Sequence, residues 1–282
     1  MSNKSGSTIT ASEAKTLAGL FRERVARTPD TVAYRQYDAD SQQWHDSSWS
    51  DMAAEVARWQ TALENESLDK GDRVAILLRN CKEWVIYDQA ALGCGLVVVP
   101  LYIDDRPESM AYILNDSGSK LLLLQGQEQW EGVQTVLDDL QTVTRILTLE
   151  SVENSSNDPR VRAVSDWLPE SGGALKTDDG DSNDLATIVY TSGTTGKPKG
   201  VMLSHWNILF DCEKASSICL MRPDDLLLSF LPLSHTFERT VGYYMPMTAG
   251  ATIAYARSIP CLLYTSPSPR DPLRYLVCRL LL

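Results

Sequence analysis

IVYTSGTTGKPKGVMLSH, residues 188–205, leaves an apolar, strand-like segment for eleven residues of another kind. Tyr190 to Gly200 hold three glycines, four Ser or Thr hydroxyls and two lysines. A segment with so little apolar surface cannot build a core. It can wrap a multiply charged anion: glycines let backbone N–H groups approach phosphate oxygens, hydroxyls add donors, and lysine supplies counter-charge. The stretch therefore predicts a strand, an exposed phosphate-binding loop over 190–200, and a second strand. It is not a Walker loop, because the required Gly-Lys-Ser/Thr is missing: Gly196-Lys197 runs into Pro198.

Outward from this stretch, helical and strand signals alternate. Thr10-Ala11-Ser12-Glu13 reads as a capping box, followed by Leu17, Leu20, Phe21 and Val25 at helical spacing. TVAYRQY and the segment Trp44 to Trp49 read as extended. A helix begins near Ser50, with Met52, Val56 and Trp59 on one side. KGDRVAILL, LVVVPLY, KLLLL and RILTLE read as strands separated by helices at EWVIYDQAALGCG, PESMAYILNDSG and WEGVQTVLDDL. Strands this apolar throughout suit a parallel sheet covered on both faces. The fold class is α/β: layered, largely parallel sheets flanked by helices.

Residues 150–184 carry nine acids against three bases and few periodic apolar positions, and are expected to be a solvated polar connection. Trp130 and Trp167, in or near polar stretches, receive no role. The α/β pattern resumes with LATIVY, the helix WNILFDCEKASSICL, the strand LLLSFLPLSH, the segment TFERTVGYYMPM and the strand ATIAYA. Tyr243, Tyr244, Met245 and Met247 in that segment are read with two alternatives open, a tunnel lining or ordinary core.

Composition narrows the function classes. The chain has 282 residues, 43% hydrophobic and 22% charged, with net charge −11. That balance argues against nucleic acid or an anionic membrane as the main partner, since phosphate backbones need a basic face. The six cysteines (81, 94, 212, 219, 261 and 278) form no C-x-x-C and only three histidines exist, so a zinc site is not expected. The N-terminus lacks the apolar core of a signal peptide, and no run reaches the roughly 18 apolar residues of a membrane span. The expected compartment is the cytoplasm, with peripheral membrane contact admitted.

The strand followed by Tyr-Thr-Ser-Gly-Thr-Thr-Gly-Lys-Pro-Lys-Gly resembles the phosphate loop of the adenylate-forming (AMP-binding) enzymes. SFLPLSHTFER, residues 229–239, is similar to the next core motif of that superfamily, in which a Pro-Leu precedes a histidine near the acyl pocket. The wording PLSHTFERTVGYY is most like the long-chain fatty acyl-CoA synthetases. The resemblance covers residues 10–256 and implies part of the N-terminal domain of the acyl-CoA synthetase/luciferase fold. It implies ATP-dependent activation of a fatty acid through an acyl-adenylate to an acyl-CoA, with ATP, Mg²⁺ and coenzyme A taking part. It also implies site residues. Thr191, Ser192, Gly193, Thr194, Thr195, Gly196 and Lys199 would hold phosphates, with the Thr191 hydroxyl near Mg²⁺ and His235 as the catalytic candidate. Lys197 falls at a position the family leaves variable. Each charge-assisted phosphate contact is worth roughly 1.5–3 kcal/mol.

The chain also departs from the family. No Tyr-Gly or Thr-Glu pair follows residue 205, so the adenine-stacking and Mg²⁺-binding segment is not found. Residues 1–257 are read as a partial AMP-binding domain. Residues 258–282, with four prolines between 260 and 272, break the pattern, and CLLYTSPSPRD resembles the translation of a sequencing-adapter read. The expectation is a non-native, disordered tail on a truncated, inactive ligase fragment, with the sheet exposing an apolar edge after ATIAYA. The alternatives are a non-catalytic nucleotide- or acyl-binding regulatory protein, or an adenylate-forming enzyme for another carboxylic acid.

Overall fold

A computed structural model of the protein describes residues 8–177, 180–191 and 196–257. The N-terminal capping box forms as read: Thr10 and Glu13 bond reciprocally at the start of α1 (Ala11–Ala14). Thr16 then caps α2 (Leu17–Arg27), whose Leu17, Leu20 and Phe21 are buried. Strands β1 (Val32–Asp38) and β2 (Gln43–Ser48) pair antiparallel. Ser48 and Asp51 form a second capping box that starts α3 (Trp49–Glu64).

From there strands and helices alternate: β3 (Arg73–Leu77), α4 (Lys82–Gly93), β4 (Val97–Pro100), α5 (Pro107–Ser117), β5 (Ser119–Leu124), α6 (Gln127–Gln134) and β6 (Arg145–Thr148). After β7 (Val161–Ala163) and the short α7 (Val164–Trp167) come β8 (Leu185–Thr191), β9 (Lys199–Ser204) and α8 (His205–Ile218). The described chain closes with β10 (Leu226–Ser229), a π-helix over Glu238–Tyr244, α9 (Met245–Ala249) and β11 (Thr252–Tyr255).

The described strands make a seven-stranded sheet, β7-β6-β5-β3-β4-β8-β9, and a four-stranded sheet, β10-β11-β1-β2. The larger sheet is parallel except where β9 returns against β8. Its two faces explain the unbroken leucine run of β5. Val74, Ile76, Leu121 and Leu123 point into a core shared with α2, α3 and α4. Ala75, Leu77, Leu122 and Leu124 point into a second core under α5 and α6. Alternate residues thus go to opposite faces, and both faces must be apolar.

Residues 150–184 are not simply a solvated connection. Val161–Ala163 add the strand β7 beside β6, and Val164 and Trp167 are buried. Trp167 meets Trp59 edge-on at 5.6 Å and donates its indole N–H to Glu66 at 2.9 Å. Trp130 is buried as well, with its N–H on the Glu153 carbonyl at 2.9 Å. The strand of ATIAYA is itself internal: β11 pairs with β10 on one side and β1 on the other, and among the described residues β10 forms the edge on that side. Polar surroundings hid two buried indoles, Trp130 and Trp167, whose N–H groups find acceptors within the fold.

Tyr243, Tyr244, Met245 and Met247 are at most 1% exposed and belong to the main core, so the packing alternative holds for them. No helix among the described residues is long and apolar enough to cross a membrane. The tail from residue 258 onward lies outside the described residues.

Candidate functional site: a phosphate hairpin and a histidine loop

The opening stretch folds as a β-hairpin. β8 and β9 pair antiparallel, with Tyr190 opposite Gly200 and Thr191 opposite Lys199. β8 runs parallel to β4, so the turn leaves from the carboxyl end of a parallel sheet, where α/β folds place their ligands. Thr191, Gly196, Lys197 and Lys199 are exposed, as a loop meeting an anion requires. Ser192, Gly193, Thr194 and Thr195 lie outside the described residues. Gly196 has φ +91°, a conformation that L side chains rarely adopt. At Gly200 an added Cβ would stand 2.7 Å from Ile188 Cγ2, so β9 can approach β8 only without a side chain there.

The two lysines of the hairpin have different surroundings. Lys197 Nζ lies over the Tyr112 ring on α5, 5.2 Å from its centroid. Beside it the Tyr190 hydroxyl donates to Asp116 at 2.6 Å, and Tyr112 donates to the same carboxylate at 3.4 Å. Burial, then the Asp116 carboxylate, push the Tyr190 phenol well above its usual range. These contacts dock the hairpin on α5. Lys199, by contrast, stands directly opposite Thr191, and opposed residues of a hairpin present their side chains on one face. A hydroxyl and an ammonium therefore share a face at the mouth of the loop.

His235 follows β10 in an exposed turn. Its N–H bonds to the Pro232 carbonyl at 2.9 Å, and its Nδ1 accepts the Phe237 N–H at 3.2 Å. The neutral imidazole then carries its proton on Nε2, as a donor. Leu231 (38% exposed) and Phe237 (57% exposed) flank it, giving the turn an apolar rim.

The residues just after His235 go inward. Glu238, the first residue of the π-helix, is buried, accepts from Ser229 Oγ at 2.8 Å and lies against Gly242, where a Cβ would be 2.4 Å from its carboxyl carbon. Burial pushes its carboxyl up to about 7, against the Ser229 hydrogen bond that favours the charged form. Arg239 pairs with Asp88 of α4, and its other amino group donates to Thr187 Oγ1 at 2.6 Å. Burial disfavours the Arg239 charge, but Asp88 outweighs it, and the guanidinium pKa lies above its ordinary value. Tyr244 and Tyr243 donate to Asp88 as well, at 2.6 and 3.1 Å. Because Thr187 belongs to β8, this network joins the strand that feeds the hairpin to the segment that carries His235.

Sequence reasoning missed Asp88, Thr187 and Arg239. A signal was present for two of them. Asp88 is the lone charge in the otherwise apolar WVIYDQAALG, and Arg239 follows Glu238 at the head of the apolar run VGYYMPM. A charge there needs a buried partner.

The hairpin leaves the carboxyl edge of a parallel sheet and is coupled to a histidine turn from a second sheet, an α/β arrangement. The family model described as AMP-binding enzyme matches residues 21–266, and the chain belongs to that family. Fatty acyl-CoA synthetase A of Dictyostelium discoideum is 34% identical over 212 residues, covering 71% of this chain and 31% of that protein. Long-chain-fatty-acid–CoA ligase 1 of Homo sapiens is 33% identical over 223 residues, with the same two coverages of 71% and 31%. The chain thus spans just under a third of the length of these relatives. The solved Mycobacterium tuberculosis fatty acyl CoA synthetase superposes with a TM-score of 0.75 at 24% identity, over 87% of this chain and 45% of that one. At that identity the likeness establishes the fold.

Proposed function

We propose that this chain supplies the phosphate-binding and acyl-facing part of an ATP-dependent long-chain fatty acid–CoA ligase. The observation that carries the reading is the hairpin: Thr191 and Lys199 share a face at the carboxyl end of β8, while Lys197 is engaged on α5. In the reaction, a fatty acid carboxylate attacks the α-phosphate of ATP, the α–β phosphoanhydride bond breaks and pyrophosphate leaves. The thiol of coenzyme A then attacks the acyl carbon and AMP departs.

Charge accumulates on the leaving pyrophosphate, so donors held there lower the barrier. Lys199 and the hydroxyls and N–H groups of residues 191–196 are the groups suited to that end. His235, with its proton on Nε2, is a donor for an acyl carboxylate oxygen, and its apolar rim suits the chain behind that carboxylate. Among the described residues no cluster of three His, Cys, Asp or Glu could hold a metal. Mg²⁺ would be held as a partner of the triphosphate, with Thr191 as one oxygen donor. It would neutralise charge on the phosphate oxygens. We place the protein in the cytoplasm, with peripheral contact where its apolar substrate resides.

A version of the protein as long as its relatives, given ATP, Mg²⁺, coenzyme A and palmitate, is expected to form palmitoyl-CoA and AMP in equal amounts. ATP binding without thioester would favour a regulatory nucleotide-binding protein instead. The 282-residue chain alone is expected to form no palmitoyl-CoA. The groups that act on adenine, ribose and α-phosphate work as a unit, and partial sets lose most of the effect.

A further inference from the structure

Asn80 stands where β3 hands over to α4, yet it does not cap that helix, whose first turn has no side-chain cap. Its side chain reaches instead to the turn that carries His235. Nδ2 donates to the Leu231 carbonyl at 2.6 Å and to Ser229 Oγ at 2.9 Å, and Oδ1 accepts the Leu233 N–H at 3.0 Å. An amide offers two N–H donors and one carbonyl acceptor, so both donors and the acceptor serve one short stretch. Ser229, having accepted from Asn80, turns its own proton toward Glu238 Oε1 at 2.8 Å. The relay Asn80 to Ser229 to Glu238 therefore has one direction, and its ends grip the chain on both sides of His235.

Hydrophobic burial cannot do this work alone. Leu231 and Phe237 keep 38% and 57% of their surface in solvent, and of the apolar residues in the turn only Leu233 is inserted, at 2% exposure. With so little packing, directional hydrogen bonds decide where the turn sits.

We propose that Asn80 is a positioning residue for His235: it fixes the 229–235 turn, so that the Phe237 N–H meets Nδ1 and the Nε2 proton faces outward. The functional meaning rests on reading His235 as part of the acyl site. The test does not, because it needs neither ATP nor a fatty acid.

The experiment is amide hydrogen exchange and imidazole NMR on the 282-residue chain, comparing wild type with Asn80→Ala and Asn80→Asp. Asn80→Ala is expected to speed exchange of the Leu233 amide by roughly tenfold, the effect of one lost hydrogen bond. The amides of Ile76 and Thr187, inside strands, should stay within about twofold. The His235 imidazole signals should move. Asn80→Asp keeps an acceptor for the Leu233 N–H but no N–H donor, so it should preserve Leu233 protection while still moving the His235 signals. This variant also carries the test should Asn80→Ala not fold. Unchanged His235 signals in either folded variant would overturn the proposal. So would Leu233 exchange that rises only in step with Ile76 and Thr187, since Asn80 would then serve overall stability alone.

Discussion

Arg239 and Asp88, 151 residues apart in sequence, form an ion pair whose side chains are 2% and 0% exposed. Thr187, Tyr243 and Tyr244 supply its further hydrogen bonds. The pair holds together α4, the strand β8 that feeds the β8–β9 hairpin and the π-helix that follows His235. Arg239 also lies over the Trp84 ring, 5.2 Å from its centroid.

Removing one partner should leave an uncompensated buried charge. Asp88→Ala is therefore expected to cost about 3–5 kcal/mol of unfolding free energy, measured by urea titration. Asp88→Leu combined with Arg239→Met should cost much less than that single change, because no charge is stranded. A loss below about 1 kcal/mol in Asp88→Ala would mean that solvent reaches the pair.

Glu238 gives the folded state a pH dependence of definite sign. Burial raises its carboxyl from the ordinary 4.5 to about 7 on folding, so between those values the folded chain binds more protons than the unfolded one. Its contribution therefore weakens as pH rises from about 4.5 to 7, by roughly 1–3 kcal/mol. Glu238→Gln should remove that slope, so that the variant gains on wild type as pH rises from 5 to 8. Thermal unfolding of the two across that range checks it. Parallel curves would place the Glu238 carboxyl at its unfolded value.

Much of this architecture was legible in the sequence because each signal had a local cause. Capping boxes at Thr10 and the period-3.6 apolar faces of α2 and α3 need only their own neighbours to form. The hairpin was legible for a different reason: Gly196 and Gly200 meet backbone demands that a side chain would violate. What stayed hidden depended on distant partners. Nothing near Asn80 says that Leu233 lies across from it, and nothing near Trp167 announces Trp59. Polarity misled at 150–184, where the acids before β7 and after α7 outnumbered the few apolar residues that face in.

Trp167 should accordingly behave as a core residue. Trp167→Ala is expected to cost about 3–5 kcal/mol by the same urea titration, and to leave Glu66 without the indole donor. A change within about 0.5 kcal/mol would return the segment to the status of a surface connection.

The central claim is that phosphates sit on the face shared by Thr191 and Lys199. The direct measurement is palmitate-dependent ATP–pyrophosphate exchange in a version as long as the relatives, comparing wild type with Lys199→Ala and Lys197→Ala. Lys199→Ala should lower exchange by roughly 10- to 100-fold, the loss of one charge-assisted contact, with an unchanged melting temperature because the side chain is exposed. Lys197→Ala, whose side chain rests on Tyr112, should lower exchange less. Undiminished exchange in Lys199→Ala would contradict the account and place the phosphates elsewhere.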